Sequence, residues 1–160
     1  MGTVIDDIEA GEYQKLYASK KDTNPKDAIG ITKLPLHLVS PIVKAYQAIA
    51  HFLGNVKYGA WNWRNGGARA SVYVAAQARH MDKYWEGEWY DADGTPHLAN
   101  AQACINILIE SHHLKNIVDD RPANGVDLNP VYAEMEAIMV KIKAKYGHMT
   151  PTHFTRDSVV

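Results

Sequence analysis

Hydrophobic positions recur at helical spacing in four long stretches of the chain. After Pro41, the residues Ile42, Val43, Tyr46, Ile49, Ala50 and Leu53 fall three and four apart, and Gly54-Asn55 supplies a stop. Ala70 to Trp85 is apolar most of the way round (Val72, Val74, Ala75, Ala76, Ala78, Met81, Trp85), which predicts burial by several neighbours, another subunit included. His97 to about His113 carries Leu98, Ala101, Cys104, Ile105, Leu108 and Ile109. At Asn129-Pro130 a fourth helix is expected to start, because asparagine caps free amides and proline suits the first turn. Val131, Met135, Ile138, Ile142 and Tyr146 form its stripe, and Gly147 closes it. No stretch alternates strongly enough to require a sheet. The pattern predicts an all-α bundle of about four main helices, completed by oligomerisation.

The segments between these stretches carry turn chemistry. Asn24-Pro25-Lys26-Asp27 through Gly30 reads as a turn, Lys57 to Ala68 as a glycine- and tryptophan-rich loop, and Gly87 to Pro96 as a polar loop. Residues 1–22 are expected to form an N-terminal arm, residues 23–148 a single helical domain, and residues 149–160 a loose tail.

Composition narrows the partners. Lys plus Arg number 17 against 18 for Asp plus Glu, a net charge of −1, which argues against a broad nucleic-acid-binding or membrane-binding surface. The single cysteine, Cys104, excludes a disulfide framework or a Cys-rich zinc site, and its apolar helix marks it as packing. Asp6, Asp7 and Glu9 replace the basic start of a signal peptide, and no apolar run approaches the roughly 20 residues of a membrane span. A soluble, cytoplasmic protein is expected. All four tryptophans (Trp61, Trp63, Trp85, Trp89) crowd into one region.

That region also holds the chemistry. There is no GxxxxGK[ST] loop, GxGxxG, HExxH or His-Asp dipeptide. Arg79, Asp82 and Glu86 share one helix face, with His80 beside them. The loop that follows brings Glu88, Asp91 and Asp93, and His97 and Asn100 open the next helix one turn apart. Carboxylates and histidines gathered at the end of a helix pair suit Mg²⁺ or Mn²⁺; a solvated acidic loop is the plain alternative. Trp61-Asn62-Trp63-Arg64 can stack a planar base, bond its edge and hold a phosphate, or plug the end of the bundle. Lys26, Asp27 and Lys33 form a third polar group, suited to a polyphosphate or to plain surface.

Asn24-Pro-Lys-Asp27, Lys33-Leu-Pro-Leu36, Lys57-Tyr-Gly59, Asn62-Trp-Arg64, Arg79-His80, Gly87-Glu88, Asp91 and His97-Leu-Ala99 occur in order, from Asn24 to about Pro122. In this it resembles the phage dATP/dGTP diphosphohydrolase family, distant relatives of the all-α MazG nucleotide pyrophosphohydrolases. The resemblance implies a Mg²⁺- or Mn²⁺-dependent homodimer or homotetramer that cleaves dGTP, and GTP, to the monophosphate and pyrophosphate. It further implies supply of dGMP for phage synthesis of the 2-aminoadenine nucleotide. MazG relatives hold metal through ExxE and ExxD on consecutive helices. Here only Glu9-Ala-Gly-Glu12 and Glu88-Trp-Tyr-Asp91 fit those patterns, far apart in sequence, so the MazG ligands do not transfer by position.

The expected site therefore rests on the local chemistry and on the phage family's Gly87-Glu88, Asp91 and His97. Glu86, Glu88 and Asp91 are assigned to catalysis, and the same three with His97 and His80 to metal. Lys26, Asp27, Lys33, Arg64, Arg79 and Asn100 are assigned to substrate, with Asn62 and Trp61 or Trp63 on the base. A triphosphohydrolase releasing intact triphosphate, a helical nucleic-acid-binding module and a purely structural bundle stay open as alternatives.

Overall fold

The computed structural model describes residues 25–30 and 32–158. The arm expected over residues 1–22 lies outside them. The protein is all-α, with long helices α2 (Pro41–Tyr58), α4 (Ala70–Trp85), α5 (His97–His113) and α6 (Asn129–Tyr146). Shorter helices are α1 (Pro25–Gly30) and α3 (Asn62–Gly66), with a 3₁₀ turn at Leu36–Leu38. The described residues divide into two compact units, with the boundary between Asp120 and Arg121. No helix among the described residues is long and apolar enough to cross a membrane.

In the first unit α4 and α5 form a hairpin, with α2 packed on α5. Its most buried apolar residues are small: Ala50, Ala68, Ala70, Ala99 and Ala101, with Trp63 the one large ring at 8% exposure. Alanine lets helices approach closely at little cost in side-chain entropy. The connections at the open end of the hairpin pair as a two-residue parallel ladder, β1 (Ala68–Arg69) with β2 (Ile117–Val118), in register Ala68↔Ile117. Asp120 adds to this end: its carboxylate accepts the Ser71 backbone N–H at 2.8 Å and the Ser71 hydroxyl at 2.5 Å, occupying a free amide in the first turn of α4.

Within the first unit four expectations change. Residues from Pro25 to Gly30 form helix α1 rather than a turn, since proline is tolerated where a helix begins. Helix α2 runs through Gly54 and Asn55 to Tyr58, and Gly59, at φ 88°, is the residue that ends it. The tryptophan loop contains the helical turn α3. Helix α4 is not enclosed within the chain: it buries only Ala70, while Val72 and Val74 are exposed and Trp85 is 84% exposed. Its neighbours cover one side, and the remaining apolar positions face outward.

The second unit carries α6, whose side chains are all exposed. Asn129 is not its cap. Instead the Asp127 carboxylate accepts the Asn129 backbone N–H at 3.0 Å, placing the capping oxygen two residues earlier. Gly147 follows the helix, as the pattern predicts.

Candidate functional site

Helix α4 ends in a Schellman motif. Gly87 takes φ 95°, its N–H reaches the Tyr84 carbonyl at 3.0 Å, and the Glu88 N–H reaches the Lys83 carbonyl at 2.9 Å. Only glycine adopts that φ without strain, and the turn sets Glu88 beside the helix end. The chain then folds back on itself: Asp91 N–H bonds the Thr95 carbonyl at 2.8 Å, and His97 N–H bonds the Trp89 carbonyl at 3.0 Å. This narrow loop aims Asp91 at the histidines of the two helices.

His80, Asp91 and His97 each offer one donor atom, and the three atoms lie within 4.8 Å of one another. The Nδ1 atoms of His80 and His97 are 3.0 Å apart, and Asp91 Oδ2 lies 4.0 Å from His80 Nδ1. His97 is fully buried; its Nε2 has no hydrogen-bond partner, and Glu88 Oε1 stands 3.4 Å away. Lys83 Nζ lies between two acids, 3.5 Å from Asp91 Oδ1 and 3.7 Å from Glu88 Oε1. Burial holds the His80 pKa below its ordinary value against the pull of Asp91, and the positive charge of its neighbours adds to the lowering. Asp91 is held low mainly by the Ala92 backbone N–H, then by Lys83.

A cavity of about 360 Å³ opens from this cluster between α2, α4 and α5. His80, Asp91, Asp93, Lys57 and Asn100 line one end; Trp63, Asn62 and Tyr73 line the other. Tyr73 and His80 are seven residues apart on α4, about 10 Å at 1.5 Å per residue, a length that suits a nucleotide lying along the groove. Lys57 Nζ bonds Asp93 Oδ2 at 2.9 Å across the mouth. With the Thr95 hydroxyl and amide on its other oxygen, Asp93 is pulled down to about pKa 2. Asn100 donates to the Thr95 hydroxyl at 2.8 Å and so braces the loop. Burial pushes the Cys104 thiol up where it lines the cavity wall.

The expected residues thus separate. His80, Asp91 and His97 converge with Glu88 next to them, and Asn62, Trp63 and Asn100 line the cavity. Glu86 caps the end of α4 and stands exposed, outside the three-donor cluster. Arg79 is exposed and does not line the cavity, although its charge reaches His80 and Cys104. Lys26 on α1 and Lys33 are exposed and do not line it either. Asp27 falls on α1 with its side chain outside the described structure. Arg64 pairs with Glu110 and stacks on the Trp61 ring at 4.2 Å. Trp85 points to solvent, and Trp89 packs edge-on against Tyr84.

Lys57, Lys83 and Glu110 are not among the residues the sequence assigns to the site, and Asp93, a member of the acidic loop there, pairs with Lys57. Glu110 accepts the Trp63 indole N–H at 2.5 Å and so fixes the ring that ends the cavity. Its 47-residue separation from Trp63 leaves no local signal; Lys57 is marked only by its place in Lys57-Tyr-Gly59.

A sequence-family model described as "dATP/dGTP diphosphohydrolase, N-terminal" matches residues 23–121, which includes the whole cavity and the three-donor cluster. The chain belongs to the dATP/dGTP diphosphohydrolase family. Within the matched residues, Lys57, Tyr58, Asn62, Trp63, His80 and Asp91 of the ordered motifs line the groove. No curated protein and no solved structure matches the chain.

Proposed function

We propose that this member of the family is a Mg²⁺- or Mn²⁺-dependent pyrophosphohydrolase that converts dGTP, and GTP, to the monophosphate and pyrophosphate. Family membership supports the hydrolase class. The observation that carries the rest is the convergence of His80, Asp91 and His97 at one end of a cavity of nucleotide length.

The residues fit a divalent cation. Burial favours the neutral, ligating form of His80, and His97 presents a buried nitrogen with no hydrogen bond. Two imidazoles beside a single carboxylate make a softer site than a carboxylate cage, which favours Mn²⁺ over Mg²⁺. When bound, the ion supplies Lewis acidity and charge neutralisation to the phosphates and the attacking water. His80, Asp91 and His97 hold it. Glu88, exposed at the rim, takes the proton as water adds to the α-phosphorus. The α–β anhydride P–O bond breaks, and its electron pair leaves with pyrophosphate. Lys57 and Lys83 offer ammonium groups to the leaving phosphates, while Trp63, Tyr73 and Asn62 hold the base at the far end. Glu86 has no part in this scheme.

The proposal extends to the MazZ subtype, in which dGMP feeds synthesis of the 2-aminoadenine nucleotide in the cytoplasm of a phage-infected host; the ordered motifs from Asn24 to His97 support it. It also includes assembly as a homodimer or homotetramer, because Val72, Trp85 and Ile109 leave apolar surface uncovered on α4 and α5. Light scattering on the purified chain gives the assembly size. Incubation with a panel of nucleoside triphosphates and Mn²⁺ or Mg²⁺, with products read by phosphorus NMR, tests the reaction. Pyrophosphate from dGTP is the expected product; intact triphosphate would establish the triphosphohydrolase alternative instead.

A further inference from the structure

A second cavity, of about 410 Å³, lies on the other side of the Trp63 ring. It shares only His51 and Trp63 with the first. Those two rings pack at 5.5 Å between centroids and 43°, and so form a partition. On α2 the substrate cavity is lined by Ala50, Leu53, Gly54 and Lys57, and the second by Ala48, Phe52 and Asn55. At 3.6 residues per turn these sets face directions nearly half a turn apart, with His51 between them. One nucleotide therefore cannot fill both cavities without displacing the partition.

The second cavity has the makings of a base site. Trp61 and Phe52 contribute aromatic surface and stand 56% and 60% exposed. Trp61 is held at φ 60°, a left-handed conformation that a bulky residue adopts only when its surroundings impose it. Here the Arg64 guanidinium stacks on its ring and is itself fixed by Glu110. The hydrogen-bonding edge is equally defined. The Asn55 carboxamide has no partner among the described residues. Asn106 uses Nδ2 toward His51 Nε2 at 3.3 Å, which leaves its oxygen available. Aromatic faces with carboxamides at the side match a purine, which stacks through its face and pairs a donor and an acceptor along one edge. The Glu110 carboxylate, already shared by Trp63 and Arg64, makes a phosphate an unfavourable occupant.

We infer that this second cavity is a purine nucleoside site, separate from the substrate groove and sharing the His51–Trp63 wall with it. It goes beyond the proposed reaction, and it needs neither the metal cluster nor the hydrolysis.

The test is calorimetric titration of the full chain with guanosine and with adenosine in EDTA, on four variants. Ala76→Trp fills the substrate cavity, and Asp91→Asn alters the metal cluster. Asn55→Leu and Phe52→Ala remove the edge and one stacking face of the second cavity at exposed positions of α2. The inference expects nucleoside binding to survive Ala76→Trp and Asp91→Asn, and to weaken about tenfold or more in Asn55→Leu and in Phe52→Ala. It is overturned if neither nucleoside binds, or if Ala76→Trp abolishes binding while Asn55→Leu and Phe52→Ala leave it intact. Hydrolysis of dGTP by Asn55→Leu is measured alongside. Loss of hydrolysis in every protein, with nucleoside binding kept, would refute the proposed reaction and leave this site standing.

Discussion

The Nδ1 atoms of His80 and His97 stand 3.0 Å apart, brought together from two helices across a 17-residue separation. At that distance one ring donates and the other accepts, so the two cannot both carry a proton on Nδ1. The pair is set up to share one proton or one cation.

In the proposed metal site that proton gives way to the ion, and both rings are then needed for binding. Adding Mn²⁺ is expected to raise the melting temperature of the unaltered chain. In His80→Ala and in His97→Ala the Mn²⁺ affinity, measured calorimetrically, should fall about tenfold or more. An unchanged affinity in either variant would remove that ring from the ligand set.

Glu110 makes the Trp63 end of the groove sensitive to acid. The Trp63 indole N–H, and after it Arg64, hold the Glu110 pKa below its ordinary 4.5. The unfolded chain therefore binds this proton more readily than the folded one. The stabilisation is complete above pH 4.5 and disappears as pH falls through the lower folded value. Glu110→Gln should cost about 1 kcal/mol at neutral pH. It should also flatten the fall of melting temperature below pH 4.5, as followed by circular dichroism.

Gly67 adopts φ 73°, and a methyl group placed there would collide with the Asn116 backbone oxygen. The same Asn116 donates through Nδ2 to the carbonyls of Trp63 and Arg64, each at 2.9 Å. Gly67→Ala is expected to destabilise by at least about 1 kcal/mol, read from urea denaturation. Because α3 moves with that contact, dGTP hydrolysis should decline in step.

Asp120 anchors the start of α4 through Ser71, and Arg69 lies 3.6 Å from the same carboxylate. Asp120→Ala should lower the melting temperature and speed hydrogen exchange at the first amides of α4, with the amides near His80 unaffected. Uniform exchange along α4 would contradict a local cap.

The helices α4 and α5 were legible to the residue because their signal is periodic and local, with Gly87 and Pro96 as punctuation. The end of α2 was not, since a glycine inside a helix is tolerated and Gly54 has space around it. Helix α1 and the turn α3 are too short to show a period. In the site, His80, Asp91, His97 and Glu88 were readable because the loop joining two helices confines them. The Lys57–Asp93 and Trp63–Glu110 contacts join residues 36 and 47 apart, and only the packing of α2 and α3 on α5 decides them. The helical period marks the far side of α4 as apolar without saying which neighbour meets it, and within one chain that side faces outward.

The β1–β2 ladder is only two residues wide, yet it joins the hairpin where the covalent loop does not. With Gly87–Pro96 closing one end and Ala68↔Ile117 the other, α4 and α5 make a clasped frame that cannot splay. Helix α2 is held across the groove by side chains alone, Lys57 on Asp93 at one end and His51 against Trp63 and Asn106 at the other. The groove thus has two walls tied to each other at both ends by backbone and a third, α2, fastened to them by a handful of side chains.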